Sequence, residues 1–123
     1  MDFTPERGMD MPSPEPFINI VGLTCRPEEE AKFNAWYEGV HLPLIRPARG
    51  LLGITRYKLA PGNDPGAYPR YLSVFTFTSQ ADFTAFLNSP EVAASKDEMA
   101  RTWGKDGLQI VWRVQYEKLP QNR

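Results

Sequence analysis

The chain has 123 residues but only one cysteine and one histidine, the side chains on which disulfides and most structural metal sites depend. Cys25 has no partner for an intrachain bridge, and Cys25 with His41 does not give the ligand spacings of a zinc site. Neither a metal site of this kind nor a disulfide framework is therefore expected, and Cys25 is read as structural. Charge of one sign is also scarce: 14 Lys and Arg stand against 15 Asp and Glu, a net charge of -1. Such a balance offers no general positive field for nucleic acid or an anionic membrane. No apolar run approaches the roughly 18 residues of a membrane span. The opening MDFTPERGMDMPSPEP lacks the apolar middle of a signal peptide, so a cytoplasmic protein is expected. Glycine-rich phosphate loops and the Gly-x-Ser-x-Gly elbow are absent too, which leaves nucleotide and serine-hydrolase chemistry without support.

What is present suits one globular core, with 41% apolar and 12% aromatic residues. Residues 1–16 hold four prolines among charges and read as a mobile arm. Phe17 to Thr24 (FINIVGLT) is a strand that runs into a helix start, where Pro27 fits the first helical position and Glu28, Glu29 and Glu30 suit the positive end of the helix dipole. Phe33, Trp36, Tyr37, Val40 and Leu44, spaced by three and four, form the buried stripe of this helix. Pro43 predicts an end or kink just after His41. Leu51 to Leu59 and Tyr71 to Ser79 read as an antiparallel hairpin around a loop rich in Pro and Gly. A second helix, capped near Ser79 and broken at Pro90, runs to about Trp103. Gly107 to Leu119 closes the chain as a strand, with Leu108, Ile110, Trp112, Val114 and Tyr116 on one side and Gln109, Arg113, Gln115 and Glu117 on the other. Residues 120–123 form a tail.

The order βαββαβ predicts an α+β, ferredoxin-like domain over 17–119: an antiparallel four-stranded sheet of order 4-1-3-2 with both helices on one face. In the two central strands both alternating sets are largely apolar, Ile18 and Ile20 against Phe17, Val21 and Leu23, then Leu72 and Val74 against Tyr71, Phe75 and Phe77. A face open to water should be polar, so a second copy packed sheet against sheet is expected as a symmetric homodimer, the alternative being a monomer whose far face is solvated through Ser73, Thr76 and Thr78.

His41 is the one side chain whose ordinary pKa lies near neutrality, which makes it the candidate general acid or base. Tyr37 and Asn34 precede it by four and seven residues, along one side of a regular helix, and either is suited to hold a substrate oxygen. The competing reading is that His41 bonds the last helical carbonyls and packs beside Pro43. Arg56 is one of several cations near the helix end, which read first as an exposed, solvated cluster and second as a site for a carboxylate or enolate. It must face away from its neighbour Tyr57, so at most one of the two shares a cavity with His41. Trp112 is a platform for an aromatic ligand, or plain core.

At Phe33-Asn34-Ala35-Trp36-Tyr37-Glu38-Gly39-Val40-His41-Leu42-Pro43-Leu44, followed by Gly50, Arg56 and Tyr57, the sequence resembles the EthD-like branch of the dimeric α+β barrel superfamily. The resemblance implies dimers with sheets face to face and a small-molecule cavity between helices and sheet. It also implies a range of activities: lactone isomerases, polyketide cyclases, decarboxylases, cofactor-free monooxygenases and haem-degrading enzymes. The expected function is thus a cofactor-independent isomerase, cyclase or decarboxylase in which His41 acts on a cyclic or aromatic carbonyl compound. The alternatives are a non-catalytic ligand-binding or accessory protein, and a haem- or oxygen-using monooxygenase. A change of His41 to Gln is expected to spare stability, as at a position outside the core.

Overall fold

The computed structural model describes residues 16–105 and 107–120. Apart from Pro16, the expected arm over 1–16 lies outside the described residues, as do the last three residues of the expected tail. Strand β1 (Phe17–Cys25) leads through a 3₁₀ turn (Pro27–Glu29) into helix α1 (Glu30–Trp36), a π-helical turn (Tyr37–His41) and the short helix α2 (Leu42–Ile45). Strands β2 (Leu51–Lys58) and β3 (Tyr71–Phe77) follow. Helices α3 (Gln80–Leu87) and α4 (Pro90–Trp103) then lead to strand β4 (Leu108–Glu117). The Ser79 and Ser89 side chains cap α3 and α4 by accepting from the Asp82 and Val92 N–H groups, both at 3.2 Å. Pro90 then occupies the first turn of α4, where its missing N–H costs nothing.

The strands form one antiparallel sheet in the order β2-β3-β1-β4, the ferredoxin-like arrangement expected from the element order. Phe17, Asn19, Val21 and Leu23 of β1 and Tyr71, Ser73, Phe75 and Phe77 of β3 are buried under the helices. Phe33 and Phe77, both fully buried, sit at the centre of this layer, and burial of each contributes about 1.5–3 kcal/mol. Phe33 packs 4.9 Å from Tyr71 and Phe77 packs 5.0 Å from Phe86, ring centre to ring centre. On the opposite face Ile18, Ile20, Leu72 and Val74 are half-buried, and Tyr57, Trp112 and Tyr116 stand exposed. That face is apolar, and among the described residues no helix crosses it.

The helix does not end after His41. It continues to Ile45 because the chain widens by one residue into the π-helical turn, in which the Leu42 N–H donates to the carbonyl of Tyr37. Pro43 has no N–H, and in a regular helix its ring would press on the carbonyl of Gly39 four residues back; a wider turn relieves both problems. The extra residue rotates everything after it. Val40, expected in the core, is 40% exposed, while His41, Leu42 and Ile45 are buried at 8%, 1% and 2%. His41 is therefore a core position, contrary to the expectation that replacing it would spare stability.

A second insertion lies in β4. Gly22 of β1 pairs with Trp112 but the next residue, Leu23, pairs with Ile110, so Val111 is extra and forms a β-bulge. The expected alternation breaks there. Leu108 and Ile110 face the helices together with Arg113 and Gln115, whereas Trp112, Val114 and Tyr116 face the far side. Gly22 is needed at the bulge: a Cβ there would come within 2.7 Å of Pro69 and 3.2 Å of Trp112. Among the described residues no helix is long and apolar enough to cross a membrane.

Candidate active site

Between the helices and the sheet lies a cavity of about 300 Å³. Its inner wall is buried and aromatic, with Trp36, Tyr37, Phe75 and Phe86, and its outer edge carries the exposed side chains Leu87, Lys96 and Arg113. Three polar groups lie further in: Asn19, His41 and Ser95, each less than a tenth exposed.

The π-helical turn aims His41 into this space. Its imidazole lies flat on Trp36, with ring centres 4.8 Å apart, and 4.9 Å from the ring of Tyr37. Nδ1 is buried and has no hydrogen-bond partner among the described residues. Burial outweighs the opposing pull of the Glu98 carboxylate and holds the imidazole pKa down at about 4, so the ring is neutral at physiological pH. Glu98 itself is fixed by the Trp36 indole, whose Nε1 donates to Oε1 at 2.8 Å, and by the Thr102 hydroxyl on Oε2. A neutral imidazole beside a fixed carboxylate can accept a proton and have the resulting charge partly compensated.

Tyr37 shares the cavity, as expected, but its hydroxyl points the other way. It approaches Ser73 without closing a hydrogen bond of good geometry, and burial pushes its pKa up. The Arg56 guanidinium sits 4.5 Å over the Tyr37 ring. Tyr37 is thus a wall with His41 on one side and a polar cluster on the other.

That cluster takes the next two predicted residues out of the cavity. Arg56 donates to Asn34 Oδ1 at 2.8 Å and to Glu38 at 3.1 Å. Asn34 donates in turn to Tyr71 Oη and the Glu30 carbonyl. Glu30 accepts from Arg70 Nε at 2.7 Å and from the Tyr71 hydroxyl, and these bonds lower its pKa to about 2. Asn34, Tyr37 and His41 therefore do not share one edge, because the π-helical turn separates them and the β2–β3 hairpin captures Asn34. Tyr57 lines a shallow pocket with Asn34 and Arg56, and it also borders a groove on the far face with Trp112, Leu72 and Pro69. Of the six residues singled out from sequence, the cavity brings together His41 and Tyr37.

Sequence reasoning missed Glu98, Asn19 and Arg113 and did not pair Trp36 with His41. Asn19 carried a signal, a lone amide in an otherwise apolar central strand. The other three depend on the two one-residue insertions or on a contact between distant helices. Among the described residues no group of three or more His, Cys, Asp or Glu side chains is placed to hold a metal ion.

The sequence profile of the EthD domain matches residues 26–103. Among solved structures, an EthD family protein from Bacillus halodurans superposes with a TM-score of 0.63 at 18% identity, over 84% of this chain and 99% of that one. The haem degrader MhuD from Mycobacterium tuberculosis gives 0.63 at 16%, over 87% and 99%. A putative antibiotic biosynthesis monooxygenase from Bordetella bronchiseptica gives 0.60 at 19%, over 86% and 99%. At these identities the likeness is one of fold. Among functionally curated proteins no sequence matches significantly.

The depressed pKa of His41 has a measurable consequence. Between the ordinary value of 6.5 and the folded value of about 4 the unfolded chain binds more protons than the folded one, so stability rises with pH across that window. The His41 contribution is complete above pH 6.5 and is lost on acidification to pH 4, a change of roughly 3 kcal/mol. Urea unfolding of wild type and His41→Gln across this range should give a steeper acid loss in wild type. Parallel pH dependences would contradict the assignment.

Proposed function

The chain belongs to the EthD family, and from that membership we propose that it is a small-molecule enzyme in which neutral His41 removes a proton from a cyclic or aromatic carbonyl compound. The observation that carries this reading is the placement of the single histidine, uncharged, in a ligand-sized apolar cavity between helices and sheet. A carbon acid next to a carbonyl loses its proton to the imidazole and becomes an enolate. Glu98 supports the imidazolium, and the apolar wall keeps water from the intermediate. Return of the proton to a different carbon completes an isomerisation without a cofactor. A cavity at His41 speaks against an accessory protein with a filled interior, and turnover separates the enzyme from a non-catalytic ligand-binding protein with the same cavity.

One observation supports an oxygen-using variant of the same chemistry. Asn19, Trp36 and His41 line one cavity, the combination of residue types that suits activation of an enolate toward dioxygen. There the enolate is oxidised by O₂: a CH₂ group becomes C=O, one oxygen atom enters the substrate and the other leaves as water. Haem fits less well. A volume near 300 Å³ is at the small end of ligand sites, room for one or two rings rather than a tetrapyrrole, and the His41 ring is held flat on Trp36.

The apolar far face of the sheet supports a homodimer. Ile18, Ile20, Leu72, Val74 and Val114, flanked by Tyr57, Trp112 and Tyr116, form the kind of continuous surface that a second sheet covers. Light scattering should give twice the chain mass for wild type and a smaller species for Ile20→Glu, and a monomeric wild type would contradict the pairing.

Against a panel of lactones, cyclic diketones and phenols, His41→Gln should lower kcat by about 10²–10⁴-fold, the contribution of a positioned general base. An oxygen electrode separates the two variants of the reaction: uptake matching turnover indicates the oxygenase, and none indicates isomerisation. Unchanged kcat in folded His41→Gln would end both.

A further inference from the structure

We propose that the outer edge of the His41 cavity is an anion-binding end, and that the substrate is a small aromatic or alicyclic acid whose carboxylate is held by Arg113, Lys96 and Asn19 while its apolar body reaches His41. This deepens the reading above and rests on it for the chemistry, though not for the binding.

The β-bulge carries the proposal. Were Val111 paired in regular alternation instead of bulged out, Trp112 would lie under the helices and Arg113 would turn to the far face. With the bulge, Arg113 stands opposite Val21 on the helix side and lines the cavity. A bulge is a local irregularity that re-aims side chains, and its effect here is to place a guanidinium at the edge of an otherwise aromatic space. Lys96 comes to the same cavity from α4, along the face that also presents Val92, Ser95 and Met99. Both cations are exposed, whereas Tyr37, His41 and Phe75 are buried, so the charge gathers at the mouth and the apolar surface lies within.

Asn19 extends the donor set inward. It is 5% exposed, and its Oδ1 accepts from Gln115 Nε2 at 2.8 Å, which leaves its NH₂ for the cavity it lines. Among the described residues no carboxylate lines this space. A guanidinium, an ammonium and an amide lining one apolar cavity are complementary to a planar oxyanion, and the guanidinium fork matches a carboxylate in two-point geometry.

Titration calorimetry with phenylacetate, benzoate and cyclohexanecarboxylate, each paired with its amide, tests this. Wild type should bind the acids more tightly than the amides. Arg113→Gln should weaken the acids about tenfold or more and leave the amides unchanged, Lys96→Gln should weaken them less, and Arg113→Lys should retain part of the preference. Acids and amides bound equally, no acid bound by wild type at millimolar concentration, or acid affinity unchanged in Arg113→Gln would each overturn the proposal. Failure of the proton-transfer reading is seen separately, as turnover that survives in His41→Gln.

Discussion

The bond from the Leu42 N–H to the Tyr37 carbonyl spans one residue more than an α-helical bond, and the site depends on it. Pro43 can neither donate to the preceding turn nor sit easily against its carbonyls, and the widened turn lets the helix pass that obstacle instead of stopping. The widening fixes which side chains meet the sheet. Val40 goes to solvent, Leu42 and Ile45 enter the core, and His41 is carried under the helices onto Trp36. Burial then sets the protonation state of the imidazole, because no hydrogen-bonded counterion offsets the loss of water at Nδ1. Backbone geometry, packing and acid–base chemistry are links of one chain here.

The strand on the other side of the cavity contains a matching irregularity. The extra Val111 reverses the facing of β4 halfway along, so that its first half contributes Leu108 and Ile110 to the apolar interior and its second half contributes Arg113 and Gln115. The same reversal sends Trp112, Val114 and Tyr116 to the far face, where they extend the apolar surface begun by Ile18 and Ile20. One inserted residue thus shapes the cavity edge and the exposed sheet together. The two insertions flank the same space, as expected if departures from regular periodicity concentrate where a ligand must be met.

The fold was legible because it rests on regular patterns. The short apolar runs Phe17 to Thr24 and Tyr71 to Ser79, the Pro and Gly of the hairpin loop, and the Ser79 cap each specify an element locally, and the βαββαβ order then leaves one common topology. The motif from Phe33 to Leu44 also pointed to the family. Site geometry was less legible, since a helix drawn with 3.6 residues per turn puts Val40 in the core, and a strand drawn with period two puts Arg113 on the wrong side. Asn34 and Arg56 lie outside the His41 cavity for another reason. Tyr71 and Glu38, distant in sequence, tie them into a polar network behind Tyr37. His41 emerged from sequence on chemical grounds alone, whereas its partner Glu98 required the packing of α4 on the π-helical turn.

A buried, neutral His41 is the central claim, and the chain's single histidine gives it an unambiguous reporter. Following the imidazole ring resonances by NMR as a function of pH measures its protonation directly. The account predicts a midpoint near pH 4, well below the ordinary 6.5, in the folded protein. A midpoint at or above 6.5 would place the ring in water or against a strong hydrogen-bonding partner and contradict the site described here.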